Sequence, residues 1–185
     1  MSIGVITLKN NLGYQSLKDH VFEEINIDQL FSIIGSSNAV PVYFAFDSCP
    51  WCKEYISYLN EVAIEWGIDK IYYFNPKEIR TYYFDQSMDQ IVLNEYFDRL
   101  IKIIGVENVS QKILCDIDNL EDICDNKKVF SWIYVPILYI FQDGEVLGSY
   151  IGPNDHEKVD GILPPMNEEQ KEELKKNYRS LLALV

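Results

Sequence analysis

The chain has 185 residues, enough to bury one sizeable core, and its shares of 48% hydrophobic and 14% aromatic residues exclude a disordered chain. Its 29 acidic residues against 16 basic ones leave a net charge of −13, so neither nucleic acid nor an anionic membrane is expected as a partner. The opening MSIGVITLKNN lacks the basic lead of a secretion signal, and no apolar run reaches the ~18 residues of a membrane span. The expectation is a single domain over residues 1–185 in the cytoplasm.

In chain order, HVFEEIN (20–26) predicts a short strand, and NIDQLFSIIGSS predicts a helix with Asn26 as N-cap and Gly35 at its stop. AVPVYFAFD is almost wholly apolar from Ala39 to Phe46, the pattern of a central strand covered on both faces. From there Cys52, Ile56, Leu59, Ala63 and Trp66 recur at helical steps until Gly67. DKIYYFNP predicts the next strand. After it, Ser87 can cap a long helix in which Met88, Ile91, Val92, Tyr96, Leu100, Ile103 and Ile104 keep helical spacing up to Gly105.

The segment SWIYVPILYIFQDGEVLGSYIG (131–152) predicts two strands joined at Asp143-Gly144, a strong hairpin signal. A final helix is expected from about Asn167 to Leu184, with Asn167 and Gln170 placed as a capping box. The sum is an α/β chain with a central mixed sheet flanked by helices.

Chemistry concentrates at Cys49 and Cys52. A Cys-x-x-Cys where a buried strand meets a helix can be a reactive pair, half a metal site, or two small core residues. At that junction the unpaired N–H groups of the first turn point at the Cys49 sulfur and favour its thiolate. Pro50 suits the first helical position, where its missing N–H costs nothing. In this geometry Cys49 is expected to be the exposed sulfur that attacks a disulfide, and Cys52 the thiol that resolves the mixed disulfide. Trp51 is either a platform for a substrate or filler of the helix turn.

Cys115 and Cys124, nine residues apart, are expected in the core before they are a second redox pair. A zinc site from all four cysteines is disfavoured because only one short-spaced motif exists. No metal and no cofactor are therefore expected. Asp116 and Asp118 begin like a calcium loop, but Leu120 stands where an oxygen ligand belongs. His20 and His156 are isolated and are read as surface or packed residues. Glu168, Glu169, Glu172 and Glu173 are read as solvated helix surface.

CPWC after an apolar strand, followed downstream by YVPILYIFQDGEVLGSYIG, resembles the thioredoxin superfamily. The resemblance covers about Asp28 to Asn75, Trp132 to Gly152 and the closing helix, and leaves a helical insertion over about 76–128 before the cis-proline strand. It implies a thioredoxin-like fold and a thiol-disulfide oxidoreductase with Cys49 as nucleophile, Cys52 as resolving thiol, Pro136 as the cis-proline and Val135 pairing with substrate through its backbone. It also implies two kinds of partner: a disulfide-containing protein or small thiol as substrate, and a reductase or thiol pool that recycles the pair. Val135-Pro136 is similar to glutaredoxins and Phe141–Val146 to thioredoxin. Where thioredoxins carry a buried acid this chain has Tyr43, and where they carry a Trp before the first cysteine it has Ser48. Asp47, Glu54 or water is left to take the proton of the resolving thiol. The arrangement also resembles, more loosely, the bacterial bacteriocin transport accessory type, which implies a non-enzymatic binding protein.

Overall fold

In the computed structural model, which describes residue 17 and residues 19–84, 91–114 and 128–185, strand β1 (Phe22–Ile25) leads through Asn26 into helix α1 (Ile27–Ile34). The Asn26 side chain accepts from Gln29 N at 2.9 Å while the Gln29 side chain accepts from Asn26 N at 2.9 Å, a complete capping box. Strand β2 (Val40–Phe44), helix α2 (Pro50–Glu65) and strand β3 (Ile71–Phe74) follow as the sequence predicts. Strands β8 (Ile137–Gln142) and β9 (Glu145–Tyr150) form the expected hairpin, and helix α4 (Glu168–Leu182) closes the chain.

The five strands run in the order β1-β3-β2-β8-β9. β1 and β2 both pair parallel with β3, whereas β8 pairs antiparallel with β2 and β9 with β8. Period two in the central strands divides the core between the two faces. Tyr43, Ala45, Ile71, Tyr73, Leu138 and Ile140 pack on the face covered by α2 and α4. Val42, Phe44, Phe74, Tyr139 and Phe141 pack on the other, against α1 and helix α3 (Glu95–Ile104). A strand whose two faces are both buried must be apolar throughout, which is why AVPVYFAF has no alternation.

The insertion is only partly helical. Among its described residues, β4 (Tyr82–Phe84) pairs antiparallel with β5 (Ile91–Leu93), and β6 (Ser110–Leu114) with β7 (Lys128–Trp132). The helix expected from Ser87 begins only at Glu95. Ser87 and Met88 lie outside the described residues, and β-branched Ile91 and Val92 sit in a strand, as their stiff side chains favour. Asn94 then caps α3 by accepting from Tyr96 N at 3.0 Å, and its own N–H donates to Thr81 O at 3.0 Å. The buried stripe of α3 is Phe97, Leu100, Ile101 and Ile104, which leaves Tyr96 exposed. Cys115, Asp116, Asp118 and Cys124 lie outside the described residues. Among the described residues no helix is long and apolar enough to cross a membrane.

Candidate active site

Cys49 is the N-cap of α2, in extended backbone at φ −88° and ψ 116°, and Pro50 occupies the first helical position. The Cys49 N–H donates to Phe46 O at 3.2 Å, which fixes the turn out of β2. Its sulfur accepts from Cys52 N at 3.2 Å, taking one of the donors that a helix start leaves unpaired. Both cysteines are free thiols.

The two thiols are driven in opposite directions. The hydrogen bond from the Cys52 thiol holds the Cys49 pKa below the ordinary value. Burial opposes this, while the N–H groups of Cys52 and Trp51 and the charge of Arg80 assist it. Burial first, and then the Cys49 sulfur, push the Cys52 thiol far up. Cys49 is thus the member that ionises first.

Opposite the cysteines the Val135–Pro136 peptide bond is cis, and the Val135 carbonyl lies 3.7 Å from the Cys49 sulfur. A groove of about 300 Å³ beside them is walled by Trp51, Val135, Pro136 and Gly152. Cys49, Trp51, Cys52, Val135 and Pro136 therefore meet in one place, although 86 residues separate Cys49 from Val135. Trp51 is half-buried, and its indole N–H donates to His156 O at 2.8 Å.

The expected exposure of Cys49 does not hold. Cys49 is 5% exposed and Cys52 4%, because both belong to the α2-side core, against which Phe46, Trp51 and Val135 also pack. A substrate sulfur must reach Cys49 past the edge of that packing.

Tyr43, in place of an acid, is fully buried. Its hydroxyl makes no hydrogen bond of good geometry, although the Tyr178 hydroxyl is close enough to interact with it. Burial raises the Tyr43 pKa well above its ordinary value, so at neutral pH it is not a proton acceptor in the manner of a carboxylate. Of the two acids open for that role, Glu54 accepts from Met166 N at 3.5 Å at the start of the α4 approach.

Two neighbours take part in the site in ways the sequence does not assign: Arg80, and His156, which the sequence reads as a surface or packed residue. His156 is buried, with Nε2 2.7 Å from Pro164 O and Nδ1 2.7 Å from the Tyr55 hydroxyl. A carbonyl only accepts, so Nε2 carries the proton and Tyr55 donates to Nδ1. This histidine ties the 153–164 segment to α2 and places the carbonyl that holds Trp51. Arg80 lies 5.4 Å over the Phe46 ring and 5.1 Å over that of Trp132, and its charge acts on both cysteines. No local pattern marks Arg80, because the rings it covers are 34 and 52 positions away in the sequence.

No family model and no curated protein matches the chain. Solved structures match this chain over most of its length and of their own. Thioredoxin from Trypanosoma brucei brucei is 12% identical, the match covering 90% of this chain and 96% of that one at a TM-score of 0.44. A structure of the thiol-resolving mechanism in yeast mitochondrial 1-Cys peroxiredoxin via glutathione/thioredoxin systems is 11% identical, covering 88% of this chain and 100% of that one, also at 0.44. The sheet order, the cysteine pair capping α2 after β2, and the cis-proline that leads into β8 make the fold a thioredoxin-like α/β fold.

Proposed function

We propose that the protein is a thiol-disulfide oxidoreductase working through Cys49 and Cys52. The observation that carries this reading is the geometry at the start of α2, where the Cys49 sulfur caps the helix, accepts from Cys52 N at 3.2 Å and faces the cis Val135–Pro136 bond, with Cys49 tuned down and Cys52 up. In the reducing direction the Cys49 thiolate attacks one sulfur of a substrate disulfide, a Cys49–substrate bond forms, and the second substrate sulfur leaves as a thiolate. The Cys52 thiol then loses its proton to Asp47, Glu54 or water and attacks the Cys49 sulfur. The Cys49–Cys52 disulfide forms and the first substrate half departs, so two electrons have passed from the protein to the substrate.

Trp51 and Pro136 wall the groove for the substrate chain, and the Val135 backbone pairs with it. The partners are a disulfide-bearing protein or small thiol and a reductase or thiol pool that restores the dithiol. A cytoplasmic setting supplies such a pool. Residues 1–185 act as one domain, with the insertion attached to the cysteine face.

Cys52→Ser incubated with glutathione disulfide should hold one glutathione on Cys49, located by peptide mass spectrometry and removed by dithiothreitol. Cys49→Ser should hold none at Cys52. Equal labelling of the two positions, or none, would refute the assignment of roles. A second reading, a binding module that keeps the fold without turnover, is favoured by the 5% exposure of Cys49 and by Tyr43 in the acid's place.

A further inference from the structure

A second cavity, of about 400 Å³, adjoins Cys49 through Phe46 and is built mainly by the insertion. Its aromatic walls are Phe46, Tyr82 and Trp132, and its charged lining consists of Lys77, Arg80 and Lys112. Lys112 lies 4.7 Å over the Tyr82 ring and 4.3 Å over that of Trp132, so cation and aromatic alternate around the rim.

Three cations converge here in a chain of net charge −13. The ion pairs among the described residues use Lys70, Lys102, Lys171, Lys175 and Arg179, and none of the three cavity cations. Arg80 Nη1 is buried and has no hydrogen-bond partner among the described residues. Burial lowers the pKa of Arg80. It also lowers that of Lys112, on which the Arg80 charge acts in the same direction. Gathering like charges beside apolar walls is unfavourable until an anion joins them, and the planar guanidinium fork matches an oxyanion.

We propose that this cavity is a substrate subsite for an oxyanion, a carboxylate in the first instance, carried close to the sulfur that Cys49 attacks. The inference rests on the oxidoreductase reading and names its substrate class: acidic disulfides rather than neutral ones. Arg80 has two tasks, favouring the Cys49 thiolate and offering its unpartnered Nη1 to the anion. Lys112 and Lys77 add charge at the rim.

The test uses the full chain with dithiothreitol as reductant and two aromatic disulfides. One is 5,5′-dithiobis(2-nitrobenzoate), with a carboxylate on each ring; the other is neutral 4,4′-dithiodipyridine. Each catalysed rate is divided by the rate with dithiothreitol alone. The expected enhancement is about tenfold greater for the carboxylate disulfide, the scale of one charge-assisted hydrogen bond. Lys112→Gln and Lys77→Gln should each lower that ratio by up to about fivefold, and added salt should lower it too. Equal enhancement of both disulfides, or a ratio untouched by both variants, would overturn the subsite and leave the oxidoreductase reading standing. No enhancement of either disulfide would overturn both.

Discussion

Cys49 and Cys52 lie within one helical turn, yet burial and hydrogen bonding separate their titrations. The thiolate is the nucleophile, so the rate of Cys49 alkylation should rise with pH around a midpoint below the ~8.5 of an ordinary cysteine, while Cys52 stays unreacted. The largest contribution to the lowered value is the Cys52 thiol and the Arg80 charge is a smaller one. Cys52→Ala should therefore raise the midpoint more than Arg80→Gln does, and the reverse order in alkylation profiles would contradict this ranking. The same shifts set how the stability of the reduced protein varies with pH. Cys49, whose folded pKa is the lower, adds stability as pH rises from its folded value toward ~8.5, and that gain is lost as pH falls back through the folded value. Cys52 acts with the opposite sign, since its raised folded pKa favours the folded state below ~8.5 and that contribution is lost at higher pH.

At the level of elements, the β8–β9 turn and the loop after β9 place two glycines in backbone that side chains avoid. Asp143 and Gly144 have φ of 52° and 84°, the pair of positive values that a two-residue hairpin turn needs. A Cβ added at Gly144 meets nothing within 4 Å, so Gly144→Ala should cost only the conformational penalty of about 1–2 kcal/mol. Gly152, at φ 127°, is different, because its Cβ would run into the Tyr55 ring, which donates to His156. Gly152→Ala should lower the urea midpoint more than Gly144→Ala, and equal losses would show that the Tyr55–His156 contact is not held closely.

Elements with a local signature were legible in the sequence. Asn26 and Asn167 announce their helices through side chains three residues away, Asp143-Gly144 announces a turn by itself, and Cys-Pro-Trp-Cys marks the start of α2. The strand pairs of the insertion were not legible. β4 and β5 have three residues each, too few for a period of two to declare itself, and Ile91 and Val92 also fit the helical spacing that continues into α3. The site divides in the same way. Cys49 and Cys52 identify each other by spacing, whereas Arg80 and His156 gain their roles only from contacts with residues 34 and 105 positions away, Phe46 and Trp51. The burial of Cys49 likewise follows from packing that no local pattern encodes.

Across the whole molecule, the central strand β2 of the five-stranded sheet ends where α2 begins and where the cis-proline before β8 faces the cysteines. To that frame the insertion adds Lys77, Arg80 and Lys112, three cations around the cavity next to Phe46 in a strongly acidic chain. Reversible redox chemistry at the cysteine pair is the claim on which the rest depends. Its most direct test is a titration of the protein through dithiothreitol and glutathione buffers, quenched by alkylation and read by peptide mass spectrometry. A Cys49–Cys52 disulfide that forms and breaks reversibly, with a midpoint inside the range of about −120 to −300 mV spanned by redox proteins and structural disulfides, is the expected result. A pair that remains two thiols across the whole series, with Cys49 alkylating at an ordinary pH, would contradict the oxidoreductase and leave the binding module.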